Sequence, residues 1–434
     1  MSWASRFRRR ERIRTSFWMI PAAYVVVALV LADQLPALDA RADLQRFPVA
    51  IDPSSARDTL SAISSGMIAF TGFVFSTFLV LVQFGSQAFS PRAVSFFRRA
   101  AITKHALGAF IATFVFSLSS IGEVGKGSSK DVPVITFGFA FLLLLLSVAL
   151  FLALIQRTVL MLRAASAIDR IGARTIACLR ELAPTPYDPA RAGAGMPRPL
   201  PARPTQVLRH KGPPAVLQAI DDRALVRAAR GVDGVLVLRV EVGSLVRAGQ
   251  PVLALHGATS TLRERRLRRA LILGDERTLA DDAAFGLRLL VDIAIKALSP
   301  AVNDPTTASA ALDRIEAVLS EAAWRDLEAS ARRDRGGVVR LRLPAPGWDG
   351  LVSLGLDEIR HYGAHSLQTC RRMRALLEDL EQTVPPARRP ALRAELTLLE
   401  ETVAGGFPEP GDRAIASRPD AIGMGVGRPE RAAA

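Results

Sequence analysis

Residues 132–155 read VPVITFGFAFLLLLLSVALFLALI, and no charged side chain interrupts them. About 20 apolar residues in a helix cross the ~30 Å hydrocarbon layer of a bilayer, so this run is long enough to span it. Three more uncharged runs precede it, Phe17 to Ala32, Leu60 to Phe84 and His105 to Ile121. The run from Leu60 also suffices by itself, while the other two need their flanks. All four lie in the first part of a 434-residue chain, so the sequence describes a membrane α-helical domain of four transmembrane helices followed by a large soluble part.

The apolar content of 50% is high for a soluble protein, and the surplus sits in these four runs. A net charge of +15 ordinarily raises nucleic acid as a partner, but only five residues are lysine and the remaining basic charge is arginine spread through an alanine-rich chain. That skew is compositional, and no nucleic-acid partner is expected. The positions of the basic residues are informative all the same. Arg6, Arg8, Arg9, Arg10, Arg12 and Arg14 precede the first run, Arg92, Arg98, Arg99 and Lys104 fill the second connection, and Arg157, Arg163, Arg170 and Arg174 follow the last. The first connection instead carries Asp33, Asp39, Asp43, Asp52 and Asp58. Lys and Arg in short loops stay cytoplasmic, which predicts a multi-pass membrane protein with both termini and the soluble part in the cytoplasm. A basic start followed by Ala37-Leu38-Asp39-Ala40 also has the outline of a cleaved signal peptide, but the Asp in that cleavage site and the Phe17-Trp18 start fit a retained helix better.

The chain divides at 1–160 (membrane domain), 161–183 (a helix leaving the membrane), 184–206 (a Pro/Arg-rich linker or insertion), 207–260 (a small β-rich unit), 261–405 (a mainly helical cytoplasmic domain) and 406–434 (a disordered tail). In the β-rich unit, Gly243 and Gly249 stand six apart between short apolar runs, as in half of a biotinyl- or lipoyl-type sandwich barrel. No lysine lies between Lys211 and Lys296 to carry a modified group, so a barrel-like unit here serves contact alone. The soluble fold class is therefore α+β, with helices expected at about 261–272, 282–298, 305–322, 354–381 and 388–404 and a strand at 338–343.

Ser61, Ser65, Gly72 and Ser76 recur at helical spacing in the second run, and Thr113 and Ser117 in the third. Small and hydroxyl-bearing stripes let membrane helices pack closely and bond across the contact. The same stripes, gathered about the axis of a homo-oligomer, would line a passive conduit. The runs hold no Asp, Glu, Lys or Arg, which disfavours ion-coupled transport. In the soluble part Asp304 is an N-cap with Pro305 at the first helical position, and Asn303, Asp304 and Thr306 form a turn that either joins two helices or makes a cytoplasmic contact or anion site. Arg263, Arg265, Arg266, Arg268 and Arg269 make either a solvated face or a contact for anionic lipid headgroups. His361 and His365 share a helical face, yet Gly363 weakens the helix and no further ligand motif accompanies them, so neither metal nor cofactor is expected. Without a nucleophile-and-base pattern, a Walker loop or a cysteine cluster, the chain is not expected to be an enzyme.

Five separated motifs, Arg14 to Pro21, Gln83 to Arg92, the glycine-framed strands at 242–255, Phe285-Gly286-Leu287-Arg288 through Asn303-Asp304-Pro305, and Ile359-Arg360-His361-Tyr362-Gly363, resemble in order and spacing the domain-of-unknown-function 2254 family of bacterial membrane proteins. The resemblance runs over about residues 6–405 and departs in the insertion near 189–206 and in the tail. It implies an inner-membrane location and a shared architecture, and it brings no catalytic residue or ligand. The leading expectation is thus an oligomeric passive channel with a cytoplasmic assembly or gating domain. The alternative is a membrane-anchored scaffold or sensor whose cytoplasmic part binds a protein partner or an anionic ligand.

Overall fold

The computed structural model describes residues 16, 18–41, 52–88, 101–124, 132–189, 199–279, 281–327, 331–344 and 346–425. The N-terminal arginines, Arg92, Arg98 and Arg99, residues 190–198 of the insertion and the end of the tail lie outside the described residues. The chain forms two compact units, Arg8–Arg163 and Ala164–Ala434.

The first unit is built from α1 (Met19–Arg41), α2 (Pro53–Ala88), α3 (Ala101–Ile121) and α4 (Val134–Leu162). Each is long and apolar enough to cross a membrane. In lipid every backbone amide has to be bonded within its own segment, and helices meet that demand. α3 is the hub, packing against α1, α2 and α4. Correspondingly, 61% of its span is buried inside the bundle, against 17–22% of the other three. Gly108 lets α1 approach, because a Cβ there would lie 2.9 Å from the Tyr24 ring. Phe110 and Phe116 fill the two sides of the hub, and Phe116 packs edge-on to Phe139 of α4 at 5.0 Å between ring centres.

α1 runs nine residues beyond the apolar stretch, to Arg41, and its last turns have a use. The residue before α4, Pro133, offers no capping side chain. Asp39 caps that helix from α1 instead, accepting from the amides of Ile135 (2.8 Å) and Thr136 (3.0 Å) and from the Thr136 hydroxyl (2.8 Å). A carboxylate at a helix N-terminus satisfies orphan amides and opposes the helix dipole.

The second unit begins with α5 (Ala164–Leu182), separated from α4 by extended backbone at Arg163, so the expected helix from 161 breaks there. Eight strands follow: β1 (Gln206–Arg209), β2 (Ala215–Ile220), β3 (Val235–Leu238), β4 (Leu245–Val246), β5 (Pro251–His256), β6 (Leu271–Gly274), β7 (Ala331–Arg333) and β8 (Val339–Arg342). They pair as a five-stranded sheet, β1-β5-β3-β8-β7, and a three-stranded sheet, β4-β2-β6. Neither sheet closes on itself, so among the described residues the barrel-like unit is a pair of open sheets. Gly243 and Gly249 do hold turns, at φ +91° and +79°. The turns were legible, but both open sheets are completed by β6, β7 and β8, which come from outside 207–260. Both sheets share a core of Leu208, Leu217, Leu236, Val246, Leu253 and Leu341, joined by Leu225 of α6 (Asp222–Arg230) and Leu267 of the short α7 (Glu264–Arg269).

The helical layer comprises α8 (Ala283–Leu298), α9 (Pro305–Ala323), α10 (Trp348–Tyr362), α11 (Leu367–Thr383), α12 (Arg389–Gly406) and α13 (Pro410–Ala416). One helix expected over 354–381 is two, interrupted at Gly363 to Ser366, where Ser366 caps α11 through the Thr369 amide. α8 is the most buried of these helices and packs on α5, α9 and α10. Gly286 allows the closest contact with α5, since a Cβ there would lie 2.0 Å from the Thr175 hydroxyl. Arg288 of α8 bonds Asp292 at 2.7 Å and grips Glu358 of α10 with both guanidinium nitrogens. Within the tail expected to be disordered, residues 406–425 carry defined structure. α13 packs on α11, buried Asp420 accepts from the Gly423 (3.0 Å) and Gly425 (2.6 Å) amides, and Arg371 donates to the carbonyls of Arg418 and Gly425. Its Pro- and Gly-rich composition reads as low complexity, but the glycines at 423 and 425 take up positive φ in this tight turn.

Candidate functional site

The two membrane stripes do not come together. Ser61, Ser65, Gly72 and Ser76 lie on the outward face of α2, opposite the buried Leu60, Ile63, Met67 and Val74. The Ser65 hydroxyl donates to the Ser61 carbonyl at 2.7 Å, and a Cβ on Gly72 would meet nothing. Thr113 and Ser117 of α3 are fully buried in the bundle. Thr113 shares a 2.9 Å bond with Ser147 of α4 and donates to the Ala109 carbonyl at 2.8 Å. On α3 the stripe is therefore a helix-packing surface within the chain, while the stripe on α2 faces outward.

The turn at Asn303 is occupied by its own residues. Asn303 sits at φ +45°, a conformation Asn tolerates, and Asp304 accepts from the Thr307 amide at 3.0 Å and from its hydroxyl. The cap carboxylate fills the place an anion would take, which favours the joining turn over the anion site. Thr306 is exposed, with Gln368 at 3.5 Å. His365 bonds the Gly406 carbonyl at 3.0 Å while His361 is exposed, so the two histidines do not converge. Arg263, Arg265, Arg266 and Arg269 are exposed, whereas Arg268 is tied to Glu264 and to the Arg209 carbonyl.

A cavity of about 320 Å³ opens in the second unit, between the sheets and the helical layer. Its apolar wall includes Leu179 and Leu182 of α5, Ile220 of β2, Leu238 of β3, Val242 and Leu343. Glu181, Asp222, Glu241, Asp281, Asp282 and Asp326 also line it, against only two guanidiniums, Arg277 and Arg332. Both guanidiniums are committed: Arg277 holds Asp282 at 3.1 Å, and Arg332 pairs with Asp222 at 3.2 Å and donates to the Leu182 carbonyl at 2.8 Å. Asp282 also caps α8 through the Phe285 amide at 2.8 Å. Burial pushes the Asp281 carboxyl up to about 6, offset in part by a hydrogen bond from the Ile220 amide. Burial likewise raises Asp282, against the pull of Arg277. Among the described residues no three His, Cys, Asp or Glu side chains converge to hold a metal ion.

None of these acids was singled out from sequence. Asp282 had a signal, an Asp three residues before an apolar helical run, which is an N-cap pattern. The others come from α5 (Glu181), the start of α6 (Asp222) and the segments after β3 (Glu241), before α8 (Asp281) and after α9 (Asp326), positions up to about 145 residues apart that no local pattern links. The two cysteines are not nucleophiles, because burial pushes the Cys178 thiol up to about 12 and that of Cys370 to about 11.

Four apolar helices ahead of a mixed helix-and-sheet unit define a polytopic membrane protein with a large extramembrane part. The chain belongs to the family described as predicted membrane protein (DUF2254), whose model matches residues 14–379. Two of its relatives are uncharacterized proteins of Mycobacterium bovis (Mb1321c) and Mycobacterium tuberculosis (Rv1290c). Each is 29% identical over 417 residues, covering 93% of this chain and 79% of its own length. No solved structure matches the chain.

Proposed function

We propose that this protein is a non-enzymatic, membrane-anchored sensor whose extramembrane unit binds a small molecule, with the four helices acting as anchor. The carrying observation is the cavity between sheets and helices, lined by apolar side chains together with several carboxylates. Pockets of roughly 300–1,000 Å³ with a few convergent polar groups are where small ligands bind. The burial of Thr113 and Ser117 supports an anchor over a conduit, since the hydroxyls that would line a path are used in packing α3.

The arginine distribution supports an inner-membrane orientation with both termini and the binding unit cytoplasmic. The outward stripe Ser61, Ser65, Gly72 and Ser76 is a surface on which a second copy packs closely, giving a homo-oligomer in the bilayer. The exposed arginines of α7 supply a contact for anionic headgroups.

The test is thermal denaturation of the full-length protein in nanodiscs against a library of small molecules. Compounds that raise the Tm of the wild type but leave Leu343→Trp, which fills the cavity, unmoved are the expected result. A library that moves neither protein, or both alike, counts against ligand binding at this place.

A further inference from the structure

Resting on that reading, we infer that the cavity selects an organic cation, an amine with a compact hydrocarbon body, through Glu181, Glu241 and Asp281 set against the leucine-lined wall. The chain as a whole carries +15, so a carboxylate-rich pocket runs against its background. The two arginines in the lining are bonded to Asp282 and Asp222, which leaves negative charge in excess where a ligand would sit. An anion would meet that excess at close range in a partly desolvated site, and like charges there disfavour binding. A neutral apolar molecule would offer no charge to the half-buried Asp281 or to the exposed Glu181 and Glu241. An ammonium group answers them, and the wall of Leu182, Leu238 and Leu343 takes the hydrocarbon. A metal ion is the poorer fit, since the carboxylates do not converge on a point.

Asp281 also sets how such a ligand responds to pH. It is faced by Cys178, Arg174 and Glu181 of α5, by Asp222 of α6 and by its neighbour Asp282, and burial holds its carboxyl at about 6. Above that value it presents the charge an ammonium needs, and below it the charge is lost.

The experiment is calorimetric titration of the full-length protein in zwitterionic-lipid nanodiscs with cyclohexylamine, cyclohexanol and cyclohexanecarboxylate, with empty nanodiscs subtracted. Cyclohexylamine is expected to bind saturably at pH 7.5 and at least tenfold more tightly than either analogue. Asp281→Asn and Glu241→Gln are expected each to weaken it about tenfold, and Asp281→Asn to remove the weakening that the wild type shows between pH 7.5 and 5. Cyclohexanol or cyclohexanecarboxylate binding as well as the amine, with Leu343→Trp abolishing it, overturns the cation assignment and leaves the sensor standing. Amine binding that both acid variants retain in full overturns it too. No heat from any of the three probes overturns this inference, whereas the sensor reading falls only if the wider library also fails.

Discussion

Asp39 and Asp281 are the same side chain put to opposite uses. Asp39 caps a helix that begins some 96 positions away, bonding the amides of Ile135 and Thr136. Asp39→Ala is expected to lower stability by about 1 kcal/mol, read as a lower Tm of the detergent-solubilised protein. Asp281 is held ionised at a cost. Its folded value of about 6 lies above the ordinary 3.8, so the folded state binds the proton more tightly, and the destabilisation is full above about pH 6 and absent below pH 4. Asp281→Asn is therefore expected to stabilise the protein by up to about 3 kcal/mol at pH 7.5, with the gain fading towards pH 4, in denaturation followed across pH. A wild type and variant that differ equally at both pH values would contradict this. Residues whose partners lie three or four positions away were legible in the sequence. Asp304, which caps through Thr307, is one. Asp39 and Asp281 were not, because their partners are set by packing between elements far apart in the chain.

At the scale of elements, hydrophobic periodicity placed α8, α9 and α12 within two residues, and found the four spans while missing some of their ends by seven to nine residues. It did not indicate which face of α2 turns inward, because that helix is apolar all round and carries small residues on more than one side. The two stripes separate in consequence. Ser117→Phe, inserted into the packed interior of α3, is expected to destabilise the bundle by about 1–3 kcal/mol, while Ser76→Phe on the outward face of α2 leaves the Tm of the detergent-solubilised monomer nearly unchanged. The pair of Tm values tests the burial assignment, and equal losses would contradict it. Gly286→Val is expected to cost a similar 1–3 kcal/mol, because its side chain would enter the space of the Thr175 hydroxyl. The sheets were the least legible elements. β3 pairs in parallel with β8, about a hundred residues on, and four-residue strands carry too little alternation to announce such partners.

At the scale of the molecule, the chain divides into a bundle of apolar helices and a second unit with its own core and cavity. In the function proposed above, the bundle serves as anchor and the extramembrane unit as the binding part. This assignment rests on hydroxyls that a conduit would expose being turned into the bundle, at Thr113 and Ser117. The measurement that bears on it most directly is single-channel recording from the full-length protein reconstituted in planar bilayers. A baseline no different from the protein-free bilayer, for wild type and Ser76→Phe alike, is the predicted result. Unitary currents in the wild type that Ser76→Phe abolishes would contradict it and return the second span to the wall of a path.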